Sequence, residues 1–102
     1  FMIWQADFYR RPLKDNNGKS LWELLLCDAT GSFKHQAFCP QSEANATWLA
    51  NQFSIASSGK LPDKIQVFRP QSLSLIETAA QQLGIAVEPT RRTDALKQWL
   101  QQ

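Results

Sequence analysis

Ile65-Gln66-Val67-Phe68-Arg69-Pro70-Gln71-Ser72 is the stretch on which the fold turns. Its first four residues are β-branched or aromatic at three positions, the pattern of a short strand. Arg69-Pro70 closes that strand, because proline fixes φ and has no N–H for a ladder. Beyond it, Ser72 is expected to cap a helix carrying Leu73, Ile76, Ala80 and Leu83 at helical spacing, with Gly84 as its stop. A strand running straight into a helix marks a crossover connection, so a parallel neighbour is required.

Upstream the period is different. Trp4 to Pro12 alternates, with Trp4, Ala6 and Phe8 on one face and Gln5, Asp7 and Tyr9 on the other. Asp15-Asn16-Asn17-Gly18 is a strong turn signal. Leu21-Trp22-Glu23-Leu24-Leu25-Leu26-Cys27 is nearly continuous apolar, as for a strand covered on both faces. Thr30-Gly31-Ser32 turns the chain into a third strand, Phe33 to Cys39, ended by Pro40. Together these predict an antiparallel meander. Ser42 is expected to cap a helix holding Ala44, Trp48, Leu49, Phe53 and Ile55, ended by Ser57-Ser58-Gly59. Downstream, Ile85-Ala86-Val87-Glu88 reads as a fifth strand, and Thr93 caps a helix with Leu96, Trp99 and Leu100.

The order is therefore β-β-β-α-β-α-β-α, an α/β chain with a mixed five-stranded sheet. The right-handed crossover rule places strands 4 and 5 beside strand 1, giving the order 3-2-1-4-5 of the ribonuclease H-like fold. A rival arrangement of the same elements is the nuclease fold built on a Glu-x-Lys motif, but Glu23 is followed by Leu24 and Leu25.

All five arginines fall at predicted strand ends: Arg10 and Arg11, Arg69, then Arg91 and Arg92. If strands 1, 4 and 5 are parallel, these guanidiniums gather at one carboxyl edge, where open α/β sheets bind ligands. Helix N-termini at Gln71-Ser72-Leu73 and Thr93-Asp94-Ala95 start there too, with amides that attract anions. The expected anion-binding set is Arg10, Arg11, Arg69, Arg91, Arg92, Gln71 and Ser72. Tyr9 and Phe68 adjoin arginines and suit stacking on unpaired bases. The competing reading pairs the arginines with Asp7, Glu88 and Asp94.

Length and composition set the limits. The 102 residues make one small α/β domain, spanning 1–102, and 43% hydrophobic with 20% charged residues describes an ordinary globule. Net charge is only +2, so any basic character is local. No apolar run approaches a membrane span, and no signal peptide is seen, so membrane insertion is not expected. Cys27 and Cys39 are expected to be buried reduced thiols rather than a disulfide. Phe1 ahead of Met2 suggests added or trimmed flanking residues, and Gln102 falls inside a helical pattern.

Catalytic and metal sets are incomplete. Asp7 suits the first carboxylate of a two-metal nuclease, in the middle of strand 1. A second should follow strand 4, where Arg69 stands instead, and a cation repels metal. Glu43 and Asp94 do not complete the set. His35 is the single histidine, so no zinc site is expected, and a Cys39–His35 nucleophile pair is disfavoured. No cofactor is expected. Trp4, Trp22, Trp48 and Trp99 are expected in the core.

Five motifs carry a family resemblance: Trp4-Gln5-Ala6-Asp7-Phe8-Tyr9-Arg10-Arg11-Pro12, Trp22-Glu23-Leu24-Leu25-Leu26-Cys27-Asp28, Phe38-Cys39-Pro40, Val67-Phe68-Arg69-Pro70-Gln71-Ser72 and Val87-Glu88-Pro89-Thr90-Arg91-Arg92. Together they resemble the N-terminal domain of a translation-activator family of cyanobacteria and chloroplasts, formerly a domain of unknown function. The resemblance implies binding to the untranslated leader of photosystem I subunit mRNA, with photosystem II subunit mRNA as a further target. It also implies a longer two-domain protein in the cyanobacterial cytoplasm or chloroplast stroma. The leading expectation is a noncatalytic domain for single-stranded RNA. The alternatives are a protein-interaction module for translation or photosystem assembly, and a residual Mg²⁺-dependent nuclease using Asp7.

Overall fold

The computed structural model describes residues 2–101. Phe1 and Gln102, on which the readings of the chain ends fall, lie outside them. The elements are β1 (Ile3–Lys14), β2 (Ser20–Asp28), β3 (Lys34–Pro40), a 3₁₀ turn (Gln41–Glu43), α1 (Ala46–Ser57), β4 (Lys64–Val67), α2 (Pro70–Gln82), β5 (Ala86–Pro89) and α3 (Asp94–Leu100). They build one sheet in the order β3-β2-β1-β4-β5. The meander β1-β2-β3 is antiparallel, and β1, β4 and β5 are parallel. This is the ribonuclease H-like arrangement predicted from the element order.

The two faces of the sheet are unequal. Trp4, Ala6 and Phe8 of β1, Leu24 and Leu26 of β2, and Ile65 and Val67 of β4 point to one side and bury against α1 and α2. Phe8 stacks on Trp48 at 5.7 Å and meets Trp22 at 5.1 Å, and Trp4 stacks on Phe33 at 5.1 Å. Each such pair adds about 0.5–1.5 kcal/mol beyond area burial. The other face carries Leu25 and Cys27, covered by Leu96 and Trp99 of the single short helix α3. Burial on both sides explains the unbroken apolar run of β2. It also separates the thiols: Cys39 belongs to the first core and Cys27 to the second, and both are free.

Helix starts differ from the sequence reading at two places. Ser42 lies in the 3₁₀ turn, and the α1 cap is Asn45, whose side chain accepts from the Trp48 amide at 2.8 Å. Ser72 is not a cap either. Pro70 occupies the first turn of α2, where its missing N–H costs nothing, so the extended residue before it, Arg69, takes the cap position. Thr93 does stand at the α3 cap position, but its side chain makes no capping bond.

Candidate functional site

The length of β1 corrects the first expectation about the arginines. Arg10 and Arg11 are not at a strand exit: β1 continues to Lys14 with β2 as its partner, Arg10 opposite Trp22 and Lys14 opposite Ser20. Pro12 is tolerated because β4 pairs with β1 only as far as Ala6, which leaves that side of β1 without a ladder. The parallel strands β4 and β5 end at the same level, Val67 beside Pro89. Arg10 and Arg11 thus still lie beyond the carboxyl end of β4, but on opposite faces, since neighbours in a strand alternate.

On the α3 face, Asp7, Tyr9, Arg11 and Glu23 meet Arg69. Arg69 donates from Nε to Asp7 Oδ1 at 2.9 Å and from Nη2 to Asp7 Oδ2 at 3.0 Å. Arg11 Nη1 donates to Glu23 Oε1 and to the Tyr9 hydroxyl, both at 3.0 Å. The Tyr9 hydroxyl in turn donates to Glu23 Oε1 at 2.7 Å, and Gln36 Nε2 donates to Glu23 Oε2. Both guanidiniums lie against the Tyr9 ring, Arg69 at 4.9 Å and Arg11 at 5.9 Å from its centroid. Asp7 and Glu23 are buried, at 3% and 1% exposure, and each is paired with an arginine. The hydrogen bond to Asp7 raises the Arg69 pKa above its ordinary value, and the bond to Tyr9, with Glu23 beside it, does the same for Arg11. Burial and the bond to Glu23 raise the Tyr9 phenol.

The remaining arginines are differently placed. Arg10, Arg91 and Arg92 are exposed, with no side-chain partner among the described residues. Arg10 borders a notch of about 290 Å³ beyond the end of β4, lined also by Phe8, Tyr9, Trp22, Arg69 and Gln71. Trp22, one of these lining residues, keeps its Nε1 buried, with no acceptor among the described residues. Next to this notch in sequence, Phe68 is 43% exposed. The Lys97 ammonium sits 4.3 Å from its ring centroid and also donates to the Arg91 carbonyl. Lys97 therefore joins the end of β4 to the segment after β5.

The helix-terminus expectation changes. Ser72 is 1% exposed, its hydroxyl donates to the Arg69 carbonyl at 3.1 Å, and its amide is bound to the same oxygen. It lies inside the fold, whereas Gln71 is exposed beside it. At α3, the Leu96 amide is taken by Gln5 Oε1 at 2.9 Å. One amide near each helix start is thus already taken, that of Ser72 at α2 and that of Leu96 at α3.

Two contributors were missed in the sequence: Glu23 and Lys97. Glu23 had a signal, since a lone acid within an apolar run is a buried counter-ion in search of a cation. Lys97 had only its position one turn into α3. His35 bonds Gln52 of α1 at 3.0 Å, and burial pushes Cys39 up to about 11, so these two do not form a nucleophile pair. Among the described residues, no three His, Cys, Asp or Glu side chains converge as metal ligands, and no helix is long and apolar enough to cross a membrane.

Comparison with known proteins adds a family. The family described as "RNA-binding protein Tab2/Atab2 N terminal" matches residues 3–102. The chloroplastic TAB2 homologue of Zea mays is 34% identical over 97% of the chain, and that of Arabidopsis thaliana is likewise 34% identical over 97%. The chain spans 26% and 27% of the lengths of these relatives. Among solved structures, a simian T-cell lymphotropic virus intasome chain superposes with a TM-score of 0.70 at 13% identity, covering 97% of this chain and 37% of that one. The HTLV-2 integrase catalytic core gives 0.65 at 14%, over 97% and 64%. These low identities establish the fold alone.

Proposed function

This chain belongs to the Tab2/Atab2 family of RNA-binding proteins by its match to their N-terminal domain, and from that premise we propose that it is a noncatalytic platform for single-stranded RNA. The observation that carries the reading is the division of the arginines. Arg11 and Arg69 saturate the two buried acids, so the notch and the edge beside it keep Arg10, Arg91 and Arg92 as uncompensated cations. These three hold phosphates. Phe68 stacks on a base, and Gln71 offers a donor at the notch. Arg69 and Arg11 act by fixing Tyr9 at the notch wall. A guanidinium bound to Asp7, where a nuclease would place metal, supports a binding role over cleavage.

The finer reading is an N-terminal domain of a longer translation activator. It would act on the mRNA leader of photosystem I subunits, and on that of photosystem II subunits, in the chloroplast stroma or the cyanobacterial cytoplasm. The second reading is a protein-interaction module for photosystem assembly, favoured by the two ion-paired arginines. Filter binding of labelled single-stranded RNA across a salt series separates them. RNA binding predicts a log–log salt slope that becomes shallower by about 0.7 for each of Arg10, Arg91 and Arg92 replaced by alanine. Absent or salt-independent RNA affinity would remove the proposal.

A further inference from the structure

The hairpin that joins β1 to β2 leaves the body of the sheet. β4 stops pairing with β1 at Ala6, and β3 stops pairing with β2 at Leu21. Lys14 and Ser20 consequently pair as a two-stranded ribbon closed by the turn at 15–19, with no third strand beside them among the described residues. Between Arg10, opposite Trp22, and Lys14, opposite Ser20, the register shifts. Such an irregularity puts extra residues on one strand and bends the ribbon. The bend makes a hollow of about 260 Å³ lined by Arg10, Arg11, Pro12, Lys14 and Ser20.

The charge of this arm is one-sided. Lys14 and Lys19 are exposed, and neither side chain has a partner among the described residues. The single acid of the arm, Asp15, faces inward: its Oδ1 accepts from the Asn17 amide at 2.8 Å and the Lys19 amide at 2.9 Å. Its charge is thus held by the turn that it organises, with Gly18 supplying the positive φ of 76°. A bulk net charge of +2 conceals this local excess. An exposed arm with one lysine at the end of β1, a second in the turn and a hydroxyl in its hollow is matched to a phosphodiester chain.

We infer that the β1–β2 hairpin is a second RNA contact: Lys14, Ser20 and Arg10 seat a backbone phosphate in the hollow, and Lys19 meets the next one at the tip. The arm rests on the RNA-binding reading above. It extends that site along β1, because Arg10 borders both the notch and the hollow. The contact is with phosphate and sugar, so it adds affinity without base preference.

The test uses the whole chain and a fluorescein-labelled oligouridylate of about 15 nucleotides, near the upper site size for such surfaces. The variants are Lys14→Ala/Lys19→Ala and the charge-keeping Lys14→Arg/Lys19→Arg. The alanine pair should bind several-fold more weakly, with a log–log salt slope shallower by about 1.4. The arginine pair should keep both affinity and slope, and all three proteins should melt at the same temperature. Wild-type protein that binds RNA while the alanine pair matches it in affinity and slope overturns the arm and leaves the notch reading standing. An alanine pair that self-associates with an unchanged salt slope also overturns it, because lysines then only keep the open ribbon from pairing with other strands. Wild-type protein without RNA affinity overturns both.

Discussion

Arg69 grips Asp7 end-on, with two parallel hydrogen bonds of 2.9 and 3.0 Å linking residues 62 apart in sequence. The pair ties the exit of β4 to the middle of β1. Its two halves are unequal: the Asp7 side chain is 5% exposed and that of Arg69 39%. Removing the arginine strands a buried carboxylate. Removing the acid frees a guanidinium that still reaches water.

Arg69→Ala should therefore cost about 2–3 kcal/mol, below the 3–5 typical of a fully buried pair because Arg69 is partly solvated. Asp7→Ala should cost less than Arg69→Ala. The double variant should be more stable than the sum of the two changes implies, by at least about 1 kcal/mol of coupling. Urea unfolding of the four proteins measures this directly. Strictly additive changes would mean that the pair is an accident of packing. Arg69→Ala on its own is a poor test of RNA contact, since it loosens the wall that holds Tyr9.

Helix α1 offers a cleaner comparison. Asn45→Ala removes the acceptor for the Trp48 amide and should cost about 1 kcal/mol. Ser42→Ala touches an exposed residue of the 3₁₀ turn that makes no cap bond and should stay within about 0.5 kcal/mol of the parent. The reverse ranking, read from thermal melts, would return the cap to Ser42.

That pair of serine and asparagine also shows what the sequence could and could not reveal. Element order was legible, because the hydrophobic period switches from two to helical after Pro40 and the turn residues punctuate it. Strand order followed from the crossover rule. Caps were not legible at Ser42 and Ser72, because a serine near a helix start looks the same whether its side chain caps the helix or lies within a turn. Pro70 decided the second case by starting the helix earlier. The arginines were legible as a group beyond the end of β4. Their partners were not, because Arg10 and Arg11 differ by one position and so face opposite sides of β1. Only the pairing of Tyr9 with Glu23 shows that Arg11 meets an acid while Arg10 does not.

The thiols make a prediction about alkaline pH. Burial pushes Cys27 and Cys39 each up to about 11 from an ordinary 9.0. A group whose pKa is raised by folding contributes stability that is complete below its unfolded value and is lost as pH rises through the folded one. Stability should therefore hold to about pH 9 and fall toward pH 11. At mildly alkaline pH both cysteines stay as thiols, so a disulfide-exchange reagent should react slowly with native protein and rapidly in denaturant. Two fast equivalents from native protein would show that the strand interiors are open.

Glu23 separates a structural arginine from a binding one. It accepts from Tyr9, Arg11 and Gln36, and it is the counter-charge that keeps Arg11 out of the cationic edge. Glu23→Gln preserves shape and removes that charge. Two readouts should move together. Tyr9 is the one tyrosine of the chain, so phenolate absorbance reports it alone. Burial and the bond to Glu23 hold its pKa above the usual 10.0, so the variant should titrate lower than the parent while burial keeps part of the shift. At neutral pH the freed Arg11 guanidinium, at the hollow that Arg10 and Arg11 both line, adds a cation to the RNA surface, so the salt slope should steepen by about 0.7. The variant should also lose roughly 1–3 kcal/mol of stability from the replaced charge-assisted bonds, so binding is measured well below its melting temperature. A lower Tyr9 pKa with an unchanged salt slope would place Arg11 outside the reach of RNA and confine the binding edge to Arg10, Arg91 and Arg92.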